Sequence, residues 1–243
     1  MIAALDAAPR PALGTIDLLL RNREAMLARI HKGTDLPAIL RTMIATIAIS
    51  MAIVGAALGS YRGGVQIAYA AAKLPIVLLG TAALSAPALS AIGAALGRRS
   101  RLSADLALVM ASLAFGALLL AACTPLILVG RALELDYHRM ILATVGVFAI
   151  AGLAALRMVV RGVALEAAPG WRTAVAGLCL VFSLVGGQLS WALRPYLVCP
   201  RTPEVPFLRD VEGSLFDAVN GAFRSARGLY DRDAAPLGES EGR

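Results

Sequence analysis

The stretch MIATIAISMAIVGAAL, Met43 to Leu58, contains no charged residue and decides the fold class of this chain. It is the centre of an apolar run over about Leu36 to Leu58, and a bilayer core needs about 20 consecutive apolar residues per helix. The whole chain is 58% hydrophobic and 16% charged, whereas soluble domains carry about 25% charged residues. The charges form short clusters between long uncharged runs, which is typical of a polytopic membrane protein.

Four further runs are long and apolar enough to span a bilayer, about Ala68 to Leu96, Leu106 to Leu128, Met140 to Val160 and Thr173 to Leu193. We therefore predict an all-α fold, a polytopic transmembrane bundle of about five spans that occupies residues 34–195. Residues 1–14 lack the basic and apolar regions of a signal peptide and are predicted to be a disordered lead-in.

An amphipathic interfacial helix is predicted at each end of the bundle. In residues 15–33, apolar residues recur at helical spacing and basic residues lie mostly on the other face. This pattern favours a helix in the head-group plane, with packing on the protein's own loops as the alternative. Residues 196–243 are predicted to hold a short amphipathic helix, flat on the membrane or capping the bundle, and a disordered tail. Its apolar residues step by four: Phe207, Val211, Leu215, Val219 and Phe223.

Lysine and arginine counts predict the orientation, because short cytoplasmic loops are enriched in these residues. Eleven of them lie on the amino-terminal side of the spans and in the loops of that side, against three in the opposite short loops. We therefore expect a multi-pass protein of the cell membrane with a cytoplasmic amino terminus. Five spans then place the carboxyl-terminal tail outside, although the basic residues of that tail favour the reverse.

The net charge of +7 is interpreted as contact with anionic lipid head groups on the inner face. No recognition motif for nucleic acid is visible, so nucleic acid is not an expected partner. A second copy of the chain or another membrane protein is the other partner considered. The candidate head-group ligands are Arg21, Arg23, Arg29, Lys32, Arg98, Arg99 and Arg101.

The string GAALG occurs twice, at Gly55 to Gly59 and at Gly93 to Gly97. Each copy places small residues four apart, which lets two helices approach closely in lipid. The chain is rich in alanine throughout, so chance is the competing explanation.

Polar residues inside the runs are the candidate functional residues, because a charge at the centre of a span costs about 2.5–3.5 kcal/mol. Lys73 lies early in the second run, just before Pro75. It marks either a break where the span begins or a buried cation facing a polar pocket. Gln188 and Trp191 share a helix face near the predicted outer boundary, and Arg194 can reach outward from the same end. A polar contact between Lys73 and Gln188 is therefore predicted.

The order of these features resembles an uncharacterised bacterial family of five-span membrane proteins, some distantly similar to the Yip family of trafficking proteins. The resemblance rests on KLP (Lys73 to Pro75), GQLSWALRP (Gly187 to Pro195) and PFLR (Pro206 to Arg209). It covers roughly residues 15–220 and implies an architecture. Eukaryotic Yip-type proteins carry an acidic, aromatic segment before the first span, and its absence here means that Rab binding is not carried over.

The sequence favours a protein without catalytic chemistry. It contains no HExxH and no Walker lysine, and its acidic residues are predicted to lie only in loops and tails. Three cysteines without CxxC spacing and two histidines predict no metal site, and no cofactor is expected. We therefore expect a membrane scaffold, a membrane-shaping protein or a partner-binding protein. The alternative is an oligomeric transporter or channel with a polar contact between spans two and five.

Overall fold

The computed structural model describes residues 12–98, 101–133, 137–165, 170–193 and Phe207, and in these ranges the chain forms eight α-helices and no strand. The helices are α1 (Ala12–Arg21), α2 (Arg23–Lys32), α3 (Leu36–Gly59), α4 (Gln66–Ala95), α5 (Leu102–Ala122), α6 (Thr124–Ala132), α7 (Tyr137–Ala164) and α8 (Trp171–Ala192).

Five helical segments are long and apolar enough to cross a membrane. They are α3, α4, the combined α5 and α6 over Leu102–Gly130, α7 from Arg139 onward, and α8. The predicted all-α bundle of about five spans is confirmed, and the helix ends lie within a few residues of the predicted ones. The chain therefore has the architecture of a multi-pass membrane protein.

The predicted single amphipathic helix over 15–33 is instead two helices, α1 and α2, which are separated at Asn22. The Asn22 side chain accepts a hydrogen bond of 3.1 Å from the backbone N–H of Ala25 and so caps α2. The apolar face is buried in the protein through Leu19, Met26, Leu27 and Ile30, and the two helices pack on α3 and α5. The face predicted to rest on lipid is thus used for packing.

The predicted break at Lys73 is also wrong, since α4 runs without interruption from Gln66 to Ala95 through both Pro75 and Pro87. A proline removes one backbone donor, and the remaining helical hydrogen bonds, with the packing of α4 on α3, α5 and α8, hold it together. The third span is the one that breaks: α5 ends before Cys123 and α6 starts at Thr124, immediately before Pro125.

Three helices form the centre of the bundle, because α3, α4 and α5 all pack against one another. Helix α7 is added on the side of α5, and α8 is added on the side of α4. In the most apolar 18-residue stretch of the third span, 61% of the residues are buried, against 22% in α7 and 17% in α8. The last two helices therefore leave most of their apolar surface outside the protein.

Close approach of α3 and α4 depends on the first GAALG string. Gly55 lies against the backbone of Ala70 and Ala71, and Gly59 lies against the backbone of Gln66. Neither position leaves room for a β-carbon, so the prediction of close packing holds for this string. In the second string, Gly97 lies in the turn after α4 with φ +82, and a β-carbon at this position would meet nothing within 4 Å.

Helix α8 packs antiparallel to α4 but is displaced along it. Gly177 faces Ile92, and Leu189 faces Gly80. With this register, α8 stops about level with Val77. Since α4 begins at residue 66, it extends about 11 residues, roughly 17 Å, beyond the end of α8.

Candidate functional site

Lys73 is the most unusual polar residue of the bundle. Its side chain is fully buried, with 0% of its surface exposed. It lies seven residues after Gln66, the first residue of α4, which corresponds to about 10 Å along the helix. Its Nζ has no hydrogen-bond partner in the described part of the chain. The prediction that Lys73 marks a break where the span begins therefore gives way to the alternative, a buried cation.

Two aromatic rings accompany the Lys73 ammonium group. The Nζ lies 5.1 Å from the centre of the Phe207 ring, within the range of a cation–π interaction. Tyr69, one turn earlier in α4, meets the same ring edge-on, with 5.2 Å between ring centres and an interplanar angle of 78°. Phe207 follows the end of α8 in sequence, so a residue beyond the fifth span reaches the second span here.

The predicted partner of Lys73 lies deeper along the bundle. The register of α8 on α4 places Gln188 about level with Thr81, about two helical turns from Lys73. Gln188 does not form a hydrogen bond with the Lys73 amine. Trp191 is near the end of α8 and half-buried, Pro75 is half-buried inside α4, and Arg194 lies outside the described residues. A polar cavity shared by Lys73 and Gln188 stays a prediction.

A second polar cluster lies where α4 ends and α5 begins. Arg98 is 5% exposed and Asp105 is 1% exposed. An Arg98 nitrogen donates to one Asp105 oxygen at 2.7 Å, and the Ser90 hydroxyl donates to the other at 2.7 Å. The cluster fastens the last turns of α4 to the first turn of α5.

This cluster corrects two predictions. Arg98 is not free to bind lipid head groups, because it is buried and ion-paired. Asp105 is not a loop residue, because it lies buried in the first turn of α5. The available signal in the sequence was an arginine seven residues before an acidic residue, across a turn between two apolar runs. This spacing allows a pair to form but does not show which of several arginines forms it.

The remaining basic residues of the predicted head-group set differ in their contacts. Arg21 pairs with Asp17 at 2.6 Å on the surface, and Arg29 pairs with Asp35 at 2.9 Å. Arg23 lies 4.8 Å from the centre of the Phe115 ring. Lys32 and Arg101 are exposed, and Arg99 lies outside the described residues. Binding of head groups by the exposed members stays a prediction.

A further feature lies on the side of the bundle that α7 and α8 form. A cavity of about 300 Å³ opens between α5, α7 and α8. Most of its lining is apolar, and its residues include Ser112, Gly152, Ala155, Leu178, Phe182 and Ser183. Since α7 and α8 contact different central helices, their outward surfaces are open to whatever surrounds the protein.

Comparison with protein-family models, with curated proteins and with solved structures finds no match to this chain. The resemblance to bacterial five-span proteins and to the Yip family therefore remains a prediction.

Proposed function

We propose that this protein is a membrane scaffold that binds a transmembrane helix of a partner along the exposed face of α7. The observation that carries the proposal is a row of small residues on that face, Ala143, Gly146 and Ala149, all of them exposed. Their spacing of three residues forms an oblique shallow groove across the helix surface. Small residues in such a groove let two helix backbones approach closely in lipid.

The surroundings of the row support helix binding over contact with lipid alone. A β-carbon at Gly146 or Gly152 would meet nothing within 4 Å inside the protein, so neither glycine is needed for packing of this bundle. Leu142 and Leu153 stand on either side of the groove and are 71% and 61% exposed. Leucines around a glycine notch give an incoming helix a surface to interlock with, whereas flexible acyl chains require no such notch.

The simplest helix that fits the groove is α7 of a second copy. Two identical faces related by a twofold axis bring the same residues into contact with each other. In this arrangement Gly146 of each copy allows the close approach, and the flanking leucines pack across the axis. The scaffold function then begins with a homodimer that presents two bundles side by side.

The test is self-association of the full-length chain in phospholipid vesicles, measured by energy transfer between donor-labelled and acceptor-labelled copies. Gly146→Leu is expected to weaken association about 10-fold or more, because a lost close contact of about 1.4 kcal/mol corresponds to that factor. The matched control is Ala83→Leu, which introduces the same leucine side chain at an exposed position of α4. Equal energy transfer in the wild type and in Gly146→Leu would refute the α7 interface.

Transport is the second function considered, and one observation favours it: the amine of Lys73 is buried inside the bundle. Lys73 and Gln188 lie about two helical turns apart, so a transport path between spans two and five that uses both residues would have to run along that length of the bundle. Ion or solute flux across sealed liposomes tests it, and flux that is unchanged in Lys73→Met would argue against it.

A further inference from the structure

We infer that Lys73 is the centre of a binding site for an oxyanion, a phosphate or carboxylate group of a ligand that enters where α4 begins. This site is separate from the α7 face and does not depend on the proposed partner binding. The inference rests on the burial of the amine, on its lack of a hydrogen-bond acceptor in the described residues, and on its position relative to α8.

The ammonium group of Lys73 lacks a hydrogen-bond acceptor among the described residues. A lysine carries three N–H donors and no acceptor, and the Lys73 donors have no protein acceptor in the described part of the chain. Phe207 contributes a π face, which attracts the cation but carries no negative charge. A buried charge without a counter-ion is costly, and an oxyanion supplies both the charge and the acceptors.

Lys73 differs in this respect from Arg98, the other buried cation next to α4. Both cations are buried at the two ends of α4, and 5% or less of each residue is exposed. Arg98 is neutralised by Asp105 at 2.7 Å, and the Ser90 hydroxyl donates a hydrogen bond to the other oxygen of that carboxylate. Lys73 has no such carboxylate among the described residues. Among the described residues, one buried cation is therefore matched by a carboxylate of the chain, and the other is not.

The position of Lys73 relative to the end of α8 also bears on how a ligand reaches the amine. Helix α8 covers α4 only up to about Val77, so the level of Lys73 lies beyond its end. The amine is about 10 Å from the start of α4, and a lysine side chain extends toward the nearer membrane surface. Phe207 lies against the amine, and Tyr69, one turn nearer the start of α4, packs against Phe207. A head group that enters from that surface meets aromatic rings first and then the cation.

Phosphate chemistry is available both in an anionic lipid and as a free ion, and the experiment separates these sources. Full-length protein is placed in nanodiscs of phosphatidylcholine with or without phosphatidylglycerol, and retained lipids are counted by native mass spectrometry. In a parallel arm, inorganic phosphate is added to protein in an uncharged detergent, and the thermal midpoint is followed.

We expect the wild type to retain phosphatidylglycerol in preference to phosphatidylcholine. Lys73→Met should reduce this preference by about 10-fold or more, since a charged hydrogen bond contributes that much. Phe207→Leu should weaken it less than Lys73→Met does, because only the π contact is lost. Arg139→Met is the control, since it removes one exposed cation from the same end of the bundle as Lys73.

A second readout keeps the inference testable if lipid counting fails. Without any anion, Lys73→Met should unfold at a higher temperature than the wild type, because an unmatched buried cation has been removed. Stabilisation of the wild type by phosphate alone, absent in Lys73→Met, would identify a soluble anion as the ligand. No lipid preference together with no phosphate effect would overturn the site. A lower midpoint for Lys73→Met would overturn it too, since Lys73 would then be a structural residue.

Discussion

Replacing Gly55 by alanine should push the two most tightly packed helices of the bundle apart. The added methyl carbon would lie 2.6 Å from the carbonyl carbon of Ala70 and 2.8 Å from the Cα of Ala71. Ordinary carbon–carbon contacts are about 3.5–4.0 Å. The obstacle is backbone, which cannot rotate away as a side chain can, so α3 and α4 must separate locally by about 1 Å.

Two effects with opposite sign set the size of the change. Overpacking of a filled core costs about 1–3 kcal/mol, and a rigid backbone obstacle favours the upper part of that range. Alanine is a better helix former than glycine by about 1 kcal/mol. The clash is the larger effect, so Gly55→Ala should lower the free energy of unfolding by about 2 kcal/mol.

The assay is equilibrium unfolding of the full-length protein in mixed micelles, followed by circular dichroism. The control is Gly152→Ala, in which the same methyl group meets open space and only the gain in helix propensity remains. If Gly55→Ala proved as stable as Gly152→Ala, α3 and α4 would not be in backbone contact at this position.

Two further changes test other parts of the fold. Asp105→Asn should destabilise the protein by about 3–5 kcal/mol, because it leaves Arg98 buried without its counter-ion. The same unfolding assay measures this loss, and recovery of stability in the double variant Arg98→Met with Asp105→Leu would confirm the cause. An Asp105→Asn variant as stable as the wild type would rule the pair out as a stabilising contact. Asn22→Ala should lower the free energy of unfolding by about 1 kcal/mol through loss of the α2 cap. Hydrogen exchange at the Ala25 amide should become faster, and an unchanged exchange rate would show that the cap contributes nothing to stability.

The sequence predicts the five spans well because length and absence of charge are properties of each run alone. For the same reason the ends of α3 and α8 are predicted to within a residue or two. The break in the amino-terminal helix was missed because Asn22 acts as a cap only when the chain turns there. The continuity of α4 through Pro75 was missed because neighbouring helices, and not local propensity, hold it straight enough to continue.

The candidate site was predicted only in part. Lys73 was identified from its charge within an apolar run, which needs no knowledge of packing. Gln188 was predicted to lie beside it because both runs were assumed to reach the same level. The displacement of α8 along α4 depends on how glycines such as Gly80 and Gly177 fit opposing side chains. Such pairing between two segments cannot be predicted from either segment alone, and the same holds for the choice of Arg98 as the partner of Asp105.

The central position of α3, α4 and α5 has a consequence for the order of synthesis. These helices are consecutive in the chain, so every contact among them can form once Gly130 has left the ribosome, since domains made first can fold first. Helices α7 and α8 are translated afterwards and dock on a trio that already exists, α7 mainly on α5 and α8 mainly on α4. Neither of them has to wait for the other to dock.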